Sequence, residues 1–194
     1  MKRVILITGT PCTGKTTVAK QLTTKLNAHY INLTEYAKTN DLTLGEDKKR
    51  QTTIINEKTM QQKLTQTINE SHNTTIIIDG HYAPTVTPKH LTTHIIVLRR
   101  NPIELRKQME KRGYQNTKLW ENLEAEILDV CLIEALQTQQ EQKTCELDTT
   151  NKTPEQTTNE ILAIINKEKK CNTGIVDWLN MLESKGLTSQ YLKT

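Results

Sequence analysis

Nine residues near the start of the chain, GTPCTGKTT at positions 9–17, constrain its fold more than any other stretch. They follow the apolar run Val4-Ile5-Leu6-Ile7 and match G-x-x-x-x-G-K-[ST], the pattern of a strand that feeds a loop whose backbone N–H groups cradle phosphates. Gly9 and Gly14 permit the backbone angles that the cradle needs, Lys15 supplies a point charge for the β/γ-phosphates, and Thr16 supplies a hydroxyl for Mg²⁺. After the loop, Val18, Leu22 and Leu26 recur at helical spacing. Strand, loop and helix in this order predict binding of a nucleoside triphosphate.

A chain of 194 residues suits one α/β domain with its own core. No apolar stretch approaches the roughly 18 to 20 residues that span a bilayer. The first ten residues enter a strand rather than a signal sequence. The expectation is a soluble cytoplasmic protein, nuclear if the source is eukaryotic, without membrane association. The formal charge of +4 is spread over short clusters such as Lys2-Arg3 and Lys48-Lys49-Arg50, and Phe is absent. Sequence-specific nucleic-acid binding is therefore not expected. Cys12, Cys131, Cys145 and Cys171 form no C-x-x-C pair and have no His at metal-ligand spacing, so neither a zinc site nor a disulfide is expected.

Apolar runs predict strands at Val4–Thr8, Thr75–Asp79 and His94–Arg99, a weaker one at Thr144–Leu147, and a fifth at Tyr30-Ile31. Helical patterns cover Thr16–Leu26, about Glu46–Glu70, Pro102–Arg112, Leu119–Gln140 and Glu155–Lys169, the last opened by Pro154. This alternation predicts an α/β fold of the P-loop NTPase kind, a five-stranded parallel sheet flanked by helices. Such sheets bind ligands beyond the carboxyl ends of their strands, where the phosphate loop and Asp79 both fall. After Gly174, Ile175, Trp178, Leu179 and Leu182 share one helical face, which suits either a partner or a helix packed back on its own domain.

IIIDGHY at 76–82 ends an apolar strand on Asp79. Beside a phosphate loop, that position suits a carboxylate orienting the water shell of Mg²⁺, although Asp-Gly also makes an ordinary turn. His81 is open to three readings: general acid/base, orienter of a water, or a hydrogen-bonding surface residue. Arg99 and Arg100 end a strand, and Arg112-Gly113-Tyr114 interrupts a helix, so that Arg112 is either a cation on a closing loop or part of a plain turn.

With GTPCTGKTT, the YINL of 30–33, IIIDGHY, VLRRNP at 97–102, RGYQNTKLWENLEAEILDV at 112–130 and TNKTPEQ at 150–156, the chain resembles the adenylate kinase isoenzyme 6 family. These are nuclear and archaeal nucleoside monophosphate kinases linked to maturation of the small ribosomal subunit. The resemblance covers roughly residues 1–170 and implies a kinase core with a monophosphate-binding insertion at about 32–55 and a short lid at about 111–121; the tail at 171–194, expected to be helical from its own pattern, lies outside it. It implies that Cys12, Gly14, Lys15, Thr16 and Thr17 contact the ATP phosphates, that Arg112 is the lid cation, and that Lys152 lies beside the adenine. It also implies that Asp79 and His81 form the metal and water-orienting motif, with Thr16 and Asp79 at the metal.

Lys38 falls where such enzymes carry an Arg for the acceptor phosphate, and it cannot make the planar bidentate contact of an Arg, so that Arg50 or Lys49 is expected to assist. Arg99 is a further expected substrate contact. DGHYAP lacks the Arg that common adenylate kinases place after the strand-ending Asp. The expected reaction is Mg²⁺-dependent transfer from ATP to AMP, giving two ADP, with tolerance of other monophosphates and some ATPase activity. The alternative implied by the same resemblance is ATP-dependent assembly of the small ribosomal subunit, with a basic ribosomal protein as partner.

Overall fold

The computed structural model of the chain describes residues 2–47 and 52–192. Its main sheet is parallel and five-stranded: β1 (Arg3–Thr8), β2 (His29–Asn32), β5 (Thr75–Asp79), β6 (His94–Arg99) and β7 (Thr144–Asp148), in the order β2-β5-β1-β6-β7. The expected α/β P-loop architecture is thus present, with β1 central and flanked by β5 and β6.

Two-residue alternation sends successive strand side chains into two cores. Val4, Leu6, Ile76, Ile78, Ile95 and Val97 meet α2 (Leu33–Thr39), α3 (Glu57–Glu70), α4 (Ala83–Val86) and α7 (Val130–Thr138) on one face. Ile5, Ile7, Ile77, Ile96, Leu98 and Leu147 meet α1 (Lys15–Leu26) and α8 (Pro154–Ile165) on the other. A third cluster lies off the sheet, where α5 (Pro102–Lys111) and α6 (Asn116–Ile127) receive α9 (Trp178–Ser184) and α10 (Thr188–Tyr191). The tail therefore packs on its own domain. Ile175 does not share the buried face of Trp178 and Leu182, because it precedes α9 and is exposed.

Three helical expectations are corrected. The pattern from Glu46 to Glu70 is helical only from Glu57; before it, β3 (Thr43–Asp47) and β4 (Thr52–Ile55) form an antiparallel hairpin. The β-branched run Thr52-Thr53-Ile54-Ile55 favours a strand, and the Asn56 side chain starts the helix by accepting from Thr59 N at 3.1 Å. Leu119–Gln140 is two helices, because Asp129 adopts a left-handed conformation (φ 58°) between α6 and α7. The Arg99 guanidinium holds that break, donating to the Glu126 carbonyl at 2.8 Å and to the Asp129 carboxylate. The last long helix runs Pro154–Ile165, opened by a Thr153/Gln156 capping box and ended before Lys167, which is left-handed (φ 64°).

The cysteine expectation is also overturned: Cys145 and Cys171 form a disulfide, with Cα atoms 4.9 Å apart, while Cys12 and Cys131 are free. No local spacing signals this pair. It arises because the segment after α8 runs alongside β7, where Glu146 N donates to Asn172 O at 2.8 Å.

Candidate active site

The loop from Gly9 to Gly14 turns at the carboxyl end of β1 through three left-handed positions, Gly9 (φ 131°), Cys12 (φ 70°) and Gly14 (φ 103°). A Cβ on Gly9 would collide with the Leu98 carbonyl oxygen of the neighbouring strand, so only glycine lets the loop lie this close to β6. Gly14 is the N-cap of α1 and offers no side-chain cap. The first amides of a twelve-residue helix are thus available to an anion, with the helix dipole in support. Lys15 Nζ folds back and donates to Thr10 O at 2.9 Å. Burial pushes its pKa down, opposed by nearby Cys131, Asp79 and Cys12.

Asp79 ends β5 one strand away and is 1% exposed. Its Oδ2 accepts from Thr16 Oγ1 at 2.7 Å, Tyr30 OH at 2.9 Å and Asn32 Nδ2 at 3.0 Å. Register explains the convergence, since Asn32 on β2 pairs with Asp79 on β5, and Tyr30 lies two residues back on the same face. Burial, and then the Asp79 charge, push the Tyr30 phenol up, so it remains a donor. Sequence reasoning assigns no role to Tyr30 or Asn32. Their signal is the Y-x-N alternation on a strand beside the Asp-ending one, readable only once the strand order is known.

Gly80 also sits where a Cβ would press on the Leu33 side chain, at 2.8 Å from its Cδ1. His81 follows, its carbonyl accepting from Thr8 Oγ1 at 2.8 Å. The residue as a whole is exposed, yet burial, and then the Lys15 charge, push the imidazole down to about 4. It is a neutral group at physiological pH.

Arg112 caps the end of α5 and reaches back to the loop, with Nη1 at 3.9 Å from Cys12 Sγ. It opens a pocket of about 500 Å³ lined by residues 112–118. The Cys12 thiol is pushed up by burial, against the pull of Arg112, Lys15 and Arg100. Three cations therefore bear on the same corner of the loop. Thr17 lies exposed in the first turn of α1. Lys152 follows β7, where Thr149 Oγ1 donates to the loop carbonyl of Thr13 at 3.2 Å, and its Nζ pairs with Glu160 at 2.7 Å.

Of the expected acceptor-side cations, Lys38 is exposed in the last turn of α2. Arg50 lies outside the described residues, as does Lys49. Arg99 is displaced from this role: its side chain is 2% exposed and committed to Glu126 at 2.9 Å, Asp129 and Glu146. The alternation of β6 turns Arg99 inward, where these three carboxylates take up its guanidinium. Burial opposes its charge, but the carboxylates outweigh burial and raise its pKa. Glu126 Oε1 also accepts from Arg100 N at 2.9 Å and from Trp178 Nε1 at 3.0 Å, so the cluster joins sheet, α6 and tail.

Thr16 and Asp79 supply the hard oxygen donors that suit Mg²⁺, which usually takes one or two protein ligands and completes its shell with phosphate and water. Among the described residues no group of three or more His, Cys, Asp or Glu is placed to hold a metal by itself. No described helix is long and apolar enough to cross a membrane.

Residues 5–129 match the family described as an AAA domain. The chain is 39% identical over 180 residues to a protein of Pyrococcus furiosus named "Putative adenylate kinase", covering 93% of each chain. It is 40% identical over 174 residues to a protein of the same name from Methanocaldococcus jannaschii, covering 90% of this chain and 92% of the relative. Among solved structures it is similar to shikimate kinase from Acinetobacter baumannii (TM-score 0.59, 17% identity, 87% of this chain and 96% of the other). It is also similar to thymidylate kinase from Candida albicans (TM-score 0.55, 19% identity, 86% and 92%). The structural likenesses speak to the fold alone. The sequence matches run nearly end to end in both partners, and by them the chain belongs to the AAA-domain family, in the P-loop nucleoside monophosphate kinase line of these archaeal relatives.

Proposed function

We propose that the protein is an adenylate kinase that moves the γ-phosphoryl group of ATP to AMP. The observation that carries this reading is the meeting of Thr16 and Asp79 at 2.7 Å beside an uncapped helix start, with Lys15 and Arg112 converging on the same loop. In-line phosphoryl transfer needs little covalent help from the protein; positioning and charge stabilisation supply most of the rate. The loop amides and α1 would hold the β-phosphate. Lys15 would exchange the Thr10 carbonyl for a β/γ oxygen. Thr16 and Asp79 would hold Mg²⁺, which when bound neutralises charge on the phosphates. Arg112, on the short α5–α6 connection, would act as the lid cation and bring positive charge onto the transferred group as the lid excludes water.

The attacking oxygen of a monophosphate is already ionised, so no strong base is required, and a neutral His81 suits an orienting role better than proton transfer. Lys38 and Arg50 would receive the acceptor phosphate from the insertion at about 32–55, and Lys152 would border the adenine. The test is ADP formation from ATP with and without AMP, then with dAMP, CMP, UMP and GMP. Equal rates with and without AMP overturn the kinase reading, and a flat response across monophosphates supports broad specificity.

A second reading, an ATPase that gates assembly of the small ribosomal subunit, is favoured by one feature. Ala83 and Pro84 are buried after the Asp-Gly-His motif where common adenylate kinases place an Arg, which weakens the acceptor site. ATP-dependent capture of a basic small-subunit ribosomal protein would support it; failure to bind in any nucleotide state would remove it.

A further inference from the structure

We infer that Asn32 couples the acceptor-binding arm to the metal carboxylate, so that occupancy of one is felt by the other. This rests on the adenylate kinase reading. The amide of Asn32 is divided between two partners. Its Oδ1 accepts from Glu35 N at 3.1 Å and so caps α2, the helix that carries Lys38. Its Nδ2 donates to Asp79 Oδ2 at 3.0 Å. One planar group therefore links the first turn of α2 to the carboxylate that faces Thr16, and neither bond can change direction without turning the other.

The surroundings make this link stiff. Asn32 is paired with Asp79 by strand register, so its backbone cannot shift independently of β5. Leu33, the first residue of α2, is fully buried and closes against Gly80, directly after Asp79, where a Cβ would have no room. The base of α2 is thus locked to the end of β5 by packing as well as by the amide. Tyr30 gives an internal control, because its hydroxyl reaches the same Asp79 Oδ2 at 2.9 Å but caps no helix.

A phosphate gripped by Lys38 pulls on α2. Through Asn32 that pull bears on the direction of Asp79 Oδ2 and hence on the oxygen left for the metal shell. Three donors on Oδ2 direct the remaining acceptor capacity of the carboxylate to Oδ1. Linkage then requires the converse: a nucleotide with Mg²⁺ at Thr16 and Asp79 changes the affinity for AMP by the same factor.

The experiment is calorimetric and needs no turnover. AMP is titrated into wild type, Asn32→Ser and Tyr30→Phe, each with and without a saturating non-hydrolysable ATP analogue and Mg²⁺. Asn32→Ser keeps an N-capping oxygen and removes the amide donor; Tyr30→Phe keeps the ring and removes a donor to Asp79 alone. The expected result is a wild-type ratio of AMP affinities of about fivefold or more, retained in Tyr30→Phe and reduced to near one in Asn32→Ser. A wild-type ratio carried unchanged by Asn32→Ser, or a wild-type ratio of one, overturns the coupling. Failure of wild type to bind AMP in either condition overturns the adenylate kinase reading itself, and the coupling with it.

Discussion

At the scale of single residues, two positions are decided by crowding and hydration. Gly9 combines φ 131° with a Leu98 carbonyl where its Cβ would lie, so Gly9→Ala meets both backbone strain and a clash that no rotamer relieves. The expected loss is about 2–4 kcal/mol of stability in denaturant unfolding, together with loss of ATP binding, because the loop cannot move off β6 without opening the cradle. His81 sets a pH dependence whose sign follows from its lowered pKa. The folded protein takes up this proton only near pH 4, whereas the unfolded chain takes it up near the ordinary 6.5. As pH falls from about 6.5 toward 4, the unfolded state binds more protons and stability falls. His81→Gln removes that slope. Imidazole NMR checks the assignment: a His81 titration centred near 6.5 would refute it, and with it the account of a neutral orienting group.

Among the elements, what the sequence could reveal was what neighbours in the chain decide. The phosphate loop, the Asp79 strand and the Pro154 that opens α8 are written in consecutive residues, and each lies where local pattern put it. The β3–β4 hairpin escaped because a long helical reading ran across the β-branched residues 52–55, and the true start at Asn56 is a lone side-chain cap. The α6–α7 break escaped for a different reason. Nothing between Glu124 and Ile133 forbids a helix; the interruption is held by Arg99, an arginine nearly thirty positions earlier that the same reasoning sent to the substrate.

This relocation makes a sharp contrast between neighbours. Arg99→Met leaves Glu126 and Glu146 buried without their cation, a class of change that costs about 3–5 kcal/mol. The Arg100 side chain makes only a partly exposed pair with Glu104 at 3.5 Å, and loss of such a pair costs about 1 kcal/mol or less. Urea unfolding of the two variants reads the difference directly. Similar losses for both would mean that Arg99 is not the anchor of the α6–α7 junction.

For the molecule as a whole, the tail changes from an appendage into part of the frame around the loop. Leu182 and Tyr191 enter the same buried cluster as Cys12 of the phosphate loop and Leu119 and Leu123 of α6, and Trp178 donates to Glu126 in the Arg99 cluster. Arg106 spans the Trp120 and Tyr191 rings at 4.9 and 5.7 Å, fastening α10 to the helices on either side of the Arg112 connection. The tail reaches this position along the edge of β7, held by Asn172, by Ile175 N on Glu146 at 2.9 Å, and by the Cys145–Cys171 disulfide.

A cross-link between residues 26 apart removes freedom from the unfolded chain worth about 3–4 kcal/mol in the loop-entropy account. Reductant should therefore lower the unfolding free energy of the wild type by roughly that amount. Cys171→Ser should show the same loss from the outset and no response to reductant. The chain's two tryptophans, Trp120 and Trp178, both lie in this region and make fluorescence a local probe. If the tail is fastened chiefly by the disulfide, their emission in reduced protein should shift at lower denaturant than the far-UV signal of the sheet and its helices. Coincident transitions after reduction would instead show that the Trp178–Glu126 bond and the shared apolar cluster hold the tail as firmly as the covalent link, making tail, lid base and phosphate loop one cooperative unit.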